Sequence, residues 1–136
     1  MRLATLACVG AASLLAPTAA LAHHAFATEF DVNSPVELRG TVTKLELINP
    51  HSWITIDVVD ENGETTEWMF EGGSPNALVR RGVTKQSVPI GSELIVTGYQ
   101  ARDGSHRAVG ADVTFADGRK LFIGTTQQQG GPPAPE

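Results

Sequence analysis

Residues 36–48 read VELRGTVTKLELI, and the apolar residues change step partway through. Val36, Leu38, Gly40 and Val42 occupy alternate positions and so share one face of a strand. Leu45 and Leu47 then take over with the opposite parity. A strand keeps one face buried through such a change only by accommodating an extra residue, so the pattern predicts a bulge or sharp bend near Thr43 and Lys44. A long first strand bent in this way can serve both sides of one small closed sheet.

The segments downstream fit that start. SWITIDVV (52–59) and ETTEWMFE (64–71) read as strands, and the intervening DENG (60–63) is a tight-turn signal because Asn62-Gly63 readily supplies positive φ. In SPNALVRRG (74–82), Ser74 can cap a helix whose first turn admits Pro75. Arg80 and Arg81 complement the helix's negative end, and Gly82 stops it. Two further strands, SELIVTGYQ (92–100) and HRAVGADVTF (106–115), turn at Asp103-Gly104, and Asp117-Gly118 folds RKLFIG (119–124) back as an added arm. Three strands, a helix, two strands and an arm predict an all-β fold with one short helix, a small OB-like β-barrel over residues 36–125. A small β-sandwich is the structural alternative.

The N-terminal 22 residues have the layout of a secretory signal. Arg2 precedes an apolar run from Leu3 to Leu15, Pro17 breaks it, and Ala20 and Ala22 supply the small side chains that signal peptidase requires. The run is shorter than the ~20 residues of a spanning helix, which disfavours an anchor. The residues before Cys8 are too few for a lipidation signal. Cleavage after Ala22 leaves His23 as the first residue of a periplasmic protein with no stable membrane insertion.

The expected organisation is therefore a signal peptide (1–22), an N-terminal arm (23–35), the β-domain (36–125) and a disordered Gln/Gly/Pro-rich tail (126–136). Removing the signal takes away Arg2 and no acid, so nine basic residues face fifteen acidic ones and the net charge moves from −5 to −6. An acidic exported domain is a poor nucleic-acid binder. The single cysteine leaves with the signal, so one core must hold the fold without a disulfide.

HHAFATEFD, GTVTKLELINPHSWITIDV, WMFEGGSPNALVRRGV and GYQARDGSHRA together resemble the signature of a family of small exported bacterial proteins known as a domain of unknown function. The resemblance spans nearly all of residues 23–136. It implies an exported single domain of OB-like form and brings no activity or catalytic residues with it.

Candidate site residues follow from the expected surface. A two-residue turn at Asn62-Gly63 pairs Asp57 with Trp68, Ile56 with Met69 and Thr55 with Phe70. That puts Ile54, Ile56, Val58 and Met69 inside, and His51, Trp53, Thr55, Asp57, Trp68 and Phe70 outside. Trp53, Trp68 and Phe70 then lie where OB domains bind ligands, unless Phe26 and Phe30 cover them. Docking of that arm brings His23 and His24 towards His51, in the turn INPHSW, and His106, in the loop RDGSHR.

An N-terminal histidine has an α-amine of pKa about 7.7–8.0, and its amine and Nδ1 can chelate one ion. With an imidazole from His51 or His106 this resembles the histidine brace of certain copper proteins, and copper(II) suits tetragonal nitrogen ligation. Metal-ligand candidates are thus His23, His24, His51 and His106, with Glu29 and Asp31 as outer acceptors. The chain has neither a cysteine nucleophile beyond residue 22 nor a phosphate loop or HExxH helix. These features predict a binding or accessory module rather than a stand-alone enzyme. Its ligand is copper(II) or, alternatively, a peptide, glycan or periplasmic protein partner held on the aromatic face.

Overall fold

The computed structural model describes residues 28–125. It is mostly β: β1 (Phe30–Glu46), β2 (Trp53–Val59), β3 (Thr65–Glu71), β4 (Glu93–Ala101), β5 (Arg107–Phe115) and β6 (Lys120–Phe122), with a short helix α1 (Pro75–Arg80) between β3 and β4. The strands form one sheet in the order β3-β2-β1-β4-β5-β6. All pairings are antiparallel except β3 with β5, which runs parallel through Met69–Arg107, Phe70–Ala108 and Glu71–Val109. That extra pairing turns the hydrogen bonding into a ring through five strands.

The long first strand makes the ring possible. Its N-terminal half pairs with β4 through Pro35–Thr41 and its C-terminal half with β2 through Thr41–Glu46. The register shifts between Val42 and Lys44, where the parity change of the sequence requires it. Val42 and Leu45, on either side of the shift, both enter the core, and Val36, Leu38 and Leu47 pack against it. Gly40 lies at the approach of β1 to β2, and a Cβ there would sit 2.5 Å from the Asp57 carbonyl oxygen.

The rest of this core comes from Ile54, Ile56, Phe70, Leu78, Val83, Val88, Leu94, Val96, Ala108, Val113, Phe115 and Ile123. α1 begins as expected: Ser74 Oγ accepts the Ala77 N–H (3.4 Å), Pro75 occupies the first turn and Arg80 the last, and Leu78 is buried. Gly82 follows at φ +89°, the left-handed geometry that ends the helix cheaply only at glycine.

Two expectations are corrected. The first concerns the β2–β3 hairpin, which pairs Ile54 with Phe70, Thr55 with Met69, Ile56 with Trp68 and Asp57 with Glu67. The Asp60 C=O accepts the Gly63 N–H (3.0 Å), the Asp60 N–H donates to the Glu64 C=O (2.9 Å), and Gly63 takes φ +81°. That is a three-residue loop of turn-plus-bulge type, further fastened by Asp60 Oδ1 accepting the N–H groups of Asn62 and Glu64 (2.8 and 2.9 Å). An odd loop slips the register by one residue and turns every β3 side chain to the other face. Phe70 is therefore a core residue with no exposed surface, Trp68 packs against the core, and Met69 faces outward with Glu71.

The second correction concerns the arm. β1 starts at Phe30, not Val36, because Phe30 pairs with Ala101 across an irregularity that spans Asp31–Ser34. Phe30 is buried against Tyr99, Ala101 and Val109 on the outside of β4 and β5, rather than over Trp68 and Phe70.

Candidate functional site

The outer face of β3 and β5 carries a polar group where only solvated charges would be expected. Glu71 ends β3, pairs with Trp53 on one side and Val109 on the other, and is 7% exposed. Full burial of a carboxylate is costly unless it is paired. Its partner is His51, in the loop between β1 and β2, whose Nδ1–H donates to Glu71 Oε1. This contact turns the other ring nitrogen, Nε2, away from the carboxylate, on a side chain 48% exposed. The loop is held from behind: the Ser52 N–H donates to the Gly73 C=O (3.0 Å), and the Gly72 N–H to the Ser52 C=O (2.8 Å).

Arg107 and Glu29 complete the cluster, with Arg107 Nη2 donating to Glu29 Oε1 at 3.0 Å. Burial pushes the Glu71 carboxyl above the ordinary carboxylate range; the His51 charge pulls it down, Glu29 pushes it up and Arg107 pulls it down, and burial prevails. A folded pKa above the unfolded one means that Glu71 stabilises the fold below the unfolded value and loses that contribution as pH rises through the folded value. Glu71→Gln is therefore expected to melt no lower than the parent at neutral pH. Its advantage should vanish in acid, where the parent carboxyl is protonated. Thermal melts of both proteins across pH check this, and a variant that melts lower than the parent at neutral pH would contradict it.

The predicted site residues are only partly brought together. Trp53 is half-buried on the outer side, opposite Glu71 on the neighbouring strand. Trp68 and Phe70 face inward, their rings 6.3 Å apart. His106 is exposed, its C=O accepts the Met69 N–H (3.0 Å), and its ring lies 5.1 Å from that of Trp68. Because Trp68 and Glu71 alternate along β3, the two histidines contact opposite faces of the strand. Among the described residues no group of three or more His, Cys, Asp or Glu side chains is arranged to hold a metal ion. His23, His24 and Phe26 lie outside the described residues.

Glu29 and Asp31, expected as outer acceptors, are both engaged. Asp31 accepts the Asn33 N–H (3.0 Å) and lies 3.9 Å from Arg102, contacts that hold its carboxyl below the ordinary range. Glu71 and Arg107 were not legible as site residues. The signal for Glu71 is the loop length: counted from a three-residue turn, Glu71 falls on the face of Trp53.

Fold and site thus define a small β-rich domain in which a buried carboxylate, Glu71, pairs on the outer face with the exposed His51. The chain belongs to the family of unknown function DUF6152, whose model matches residues 11–111. No curated protein and no solved structure matches it.

Proposed function

We propose that this chain is an exported binding module, an OB-type barrel that takes up copper(II) in the periplasm. In this reading residues 1–22 are removed, and the α-amine and imidazole of His23 join Nε2 of His51 on one ion. The observation that carries it is the Glu71–His51 contact. Histidines that ligate metals commonly donate their second ring N–H to a carboxylate, which fixes the tautomer and aims the ligating nitrogen. The barrel reading is supported by the ring of five strands, the bent first strand shared between two neighbours and the helix before β4.

His51 is the better ligand of the two described histidines, since the His106 ring lies against Trp68. The aromatic-face alternative keeps Trp53 but loses Phe70 to the core. Calorimetric titration of copper(II) into protein beginning at His23 tests the proposal. Affinity should fall by about tenfold or more on His51→Ala, the scale of losing one ligand or its support. It should also weaken as pH drops, because protons compete for nitrogen ligands. Equal, weak and pH-independent binding by both proteins would reject it.

A further inference from the structure

We propose that the outer face of β2 and β3 docks an extended segment of a partner protein, one that carries a lysine or arginine two residues from an apolar side chain. The face holds an unresolved conflict of charge. Asp57 and Glu67 stand directly opposite each other on neighbouring strands. At such positions Cβ atoms are about 5 Å apart, and like charges destabilise the sheet. On the other side of Asp57 lies Thr41 of β1, which brings no cation. Among the described residues neither carboxylate takes part in an ion pair. Lys44, beside Thr55 on the same face, is bound to Glu46 instead (2.8 Å). From Asp57 to Glu67 the hairpin also carries Asp60, Glu61 and Glu64, with neither lysine nor arginine among them. Local conflicts of this kind concentrate at functional sites, where a second molecule relieves them.

What lies next along the face selects the occupant. Thr55 is 4% exposed although it points outward between the core residues Ile54 and Ile56, and its hydroxyl has no hydrogen-bond partner among the described residues. Met69 stands opposite it on β3 and Trp53 follows it on β2, both half-buried. Carboxylates alone would accept any small cation, whereas carboxylates beside an unpaired hydroxyl and two large apolar side chains fit a polypeptide. Neighbours on one face of a strand are two residues, ~7 Å, apart. An extended segment lying along β2 and β3 has the same repeat. Its cation over Asp57 and Glu67 therefore puts the side chain two residues further on over Met69 and Thr55, towards Trp53. The cation replaces repulsion with charge-assisted hydrogen bonds, the Thr55 hydroxyl gains a partner, and Met69 and Trp53 are covered as such residues are at interface centres. Docking here requires no metal at His51.

The test is an NMR titration of the isotope-labelled full chain with the capped peptide Ala-Lys-Ala-Leu-Ala, and with Ala-Glu-Ala-Leu-Ala as control. The lysine peptide is expected to shift the amides of Thr55, Asp57, Glu67 and Met69, and the glutamate peptide to leave them in place. Affinity for the lysine peptide should fall about threefold or more when Asp57→Asn and Glu67→Gln are combined, the scale of exposed ion pairs. It should also fall as salt is raised. The same double variant should melt no lower than the parent, because removing the like charges relieves the sheet. Equal shifts from both peptides, or unchanged affinity in the double variant, would overturn the proposal. So would a double variant that melts well below the parent, since the carboxylates would then be serving the fold. Shifts of these amides that grow with protein concentration and without peptide would assign the face to a second copy of the chain and overturn the partner-protein reading.

Discussion

Phe70→Ala is expected to destabilise the domain by about 3–5 kcal/mol, whereas Met69→Ala costs about 1 kcal/mol or less. Phe70 is a fully buried aromatic side chain, opposite Ile54 on β2 and Ala108 on β5, so its removal leaves a cavity lined by residues from several strands. Met69 lies on the other face of the same strand and is half-buried. The comparison tests the hairpin register directly, because a one-residue slip exchanges the two roles. Urea denaturation should show the midpoint falling far more for Phe70→Ala, with the slope unchanged. A larger loss at Met69 would restore a two-residue turn and put Phe70 back on the ligand face.

Gly98→Ala should cost at least as much as ordinary overpacking at its upper end, ~3 kcal/mol. Gly98 pairs with Val36 on β1 and Gly110 on β5, beside a register shift between Val96 and Gly98. A Cβ at this point would run into the carbonyl oxygen of Val109. Backbone atoms held in a ladder cannot step aside as a side-chain tip can, so relief requires parting β4 from β5 and loosening the ring. For a domain of this size ~3 kcal/mol corresponds to a melting temperature lower by roughly 12–24 °C. Thermal melting followed by circular dichroism measures it. A variant that melts within a few degrees of the parent would show that the close approach at Gly98 is dispensable.

Much of this architecture is legible in the sequence because it depends on local rules. The parity change between Val42 and Leu45 marks the bulge, and Ser74, Pro75 and Gly82 mark the ends of α1. The site is less legible because it depends on counts and on distant partners. Asn62-Gly63 signals a turn equally well with a loop of two or three residues, and only the Asp60 hydrogen bonds decide which one forms. One residue of slip moved Trp68 and Phe70 from the expected surface to the interior and brought Glu71 out beside His51. The early start of β1 was hidden for a related reason. Asp31–Ser34 has no alternation to read, and Phe30 becomes a strand residue only through Ala101, far away along the chain.

The measurement that bears most directly on the central claim is electron paramagnetic resonance of copper(II) bound to protein that begins at His23. It is compared with the same protein carrying one alanine before His23 and with His51→Ala. The proposed site predicts a tetragonal, nitrogen-rich signal in the first protein, and fewer coupled nitrogens with weaker binding in each of the other two. Three indistinguishable spectra, with equal weak binding, would contradict it and leave the Glu71–His51 pair without a metal role.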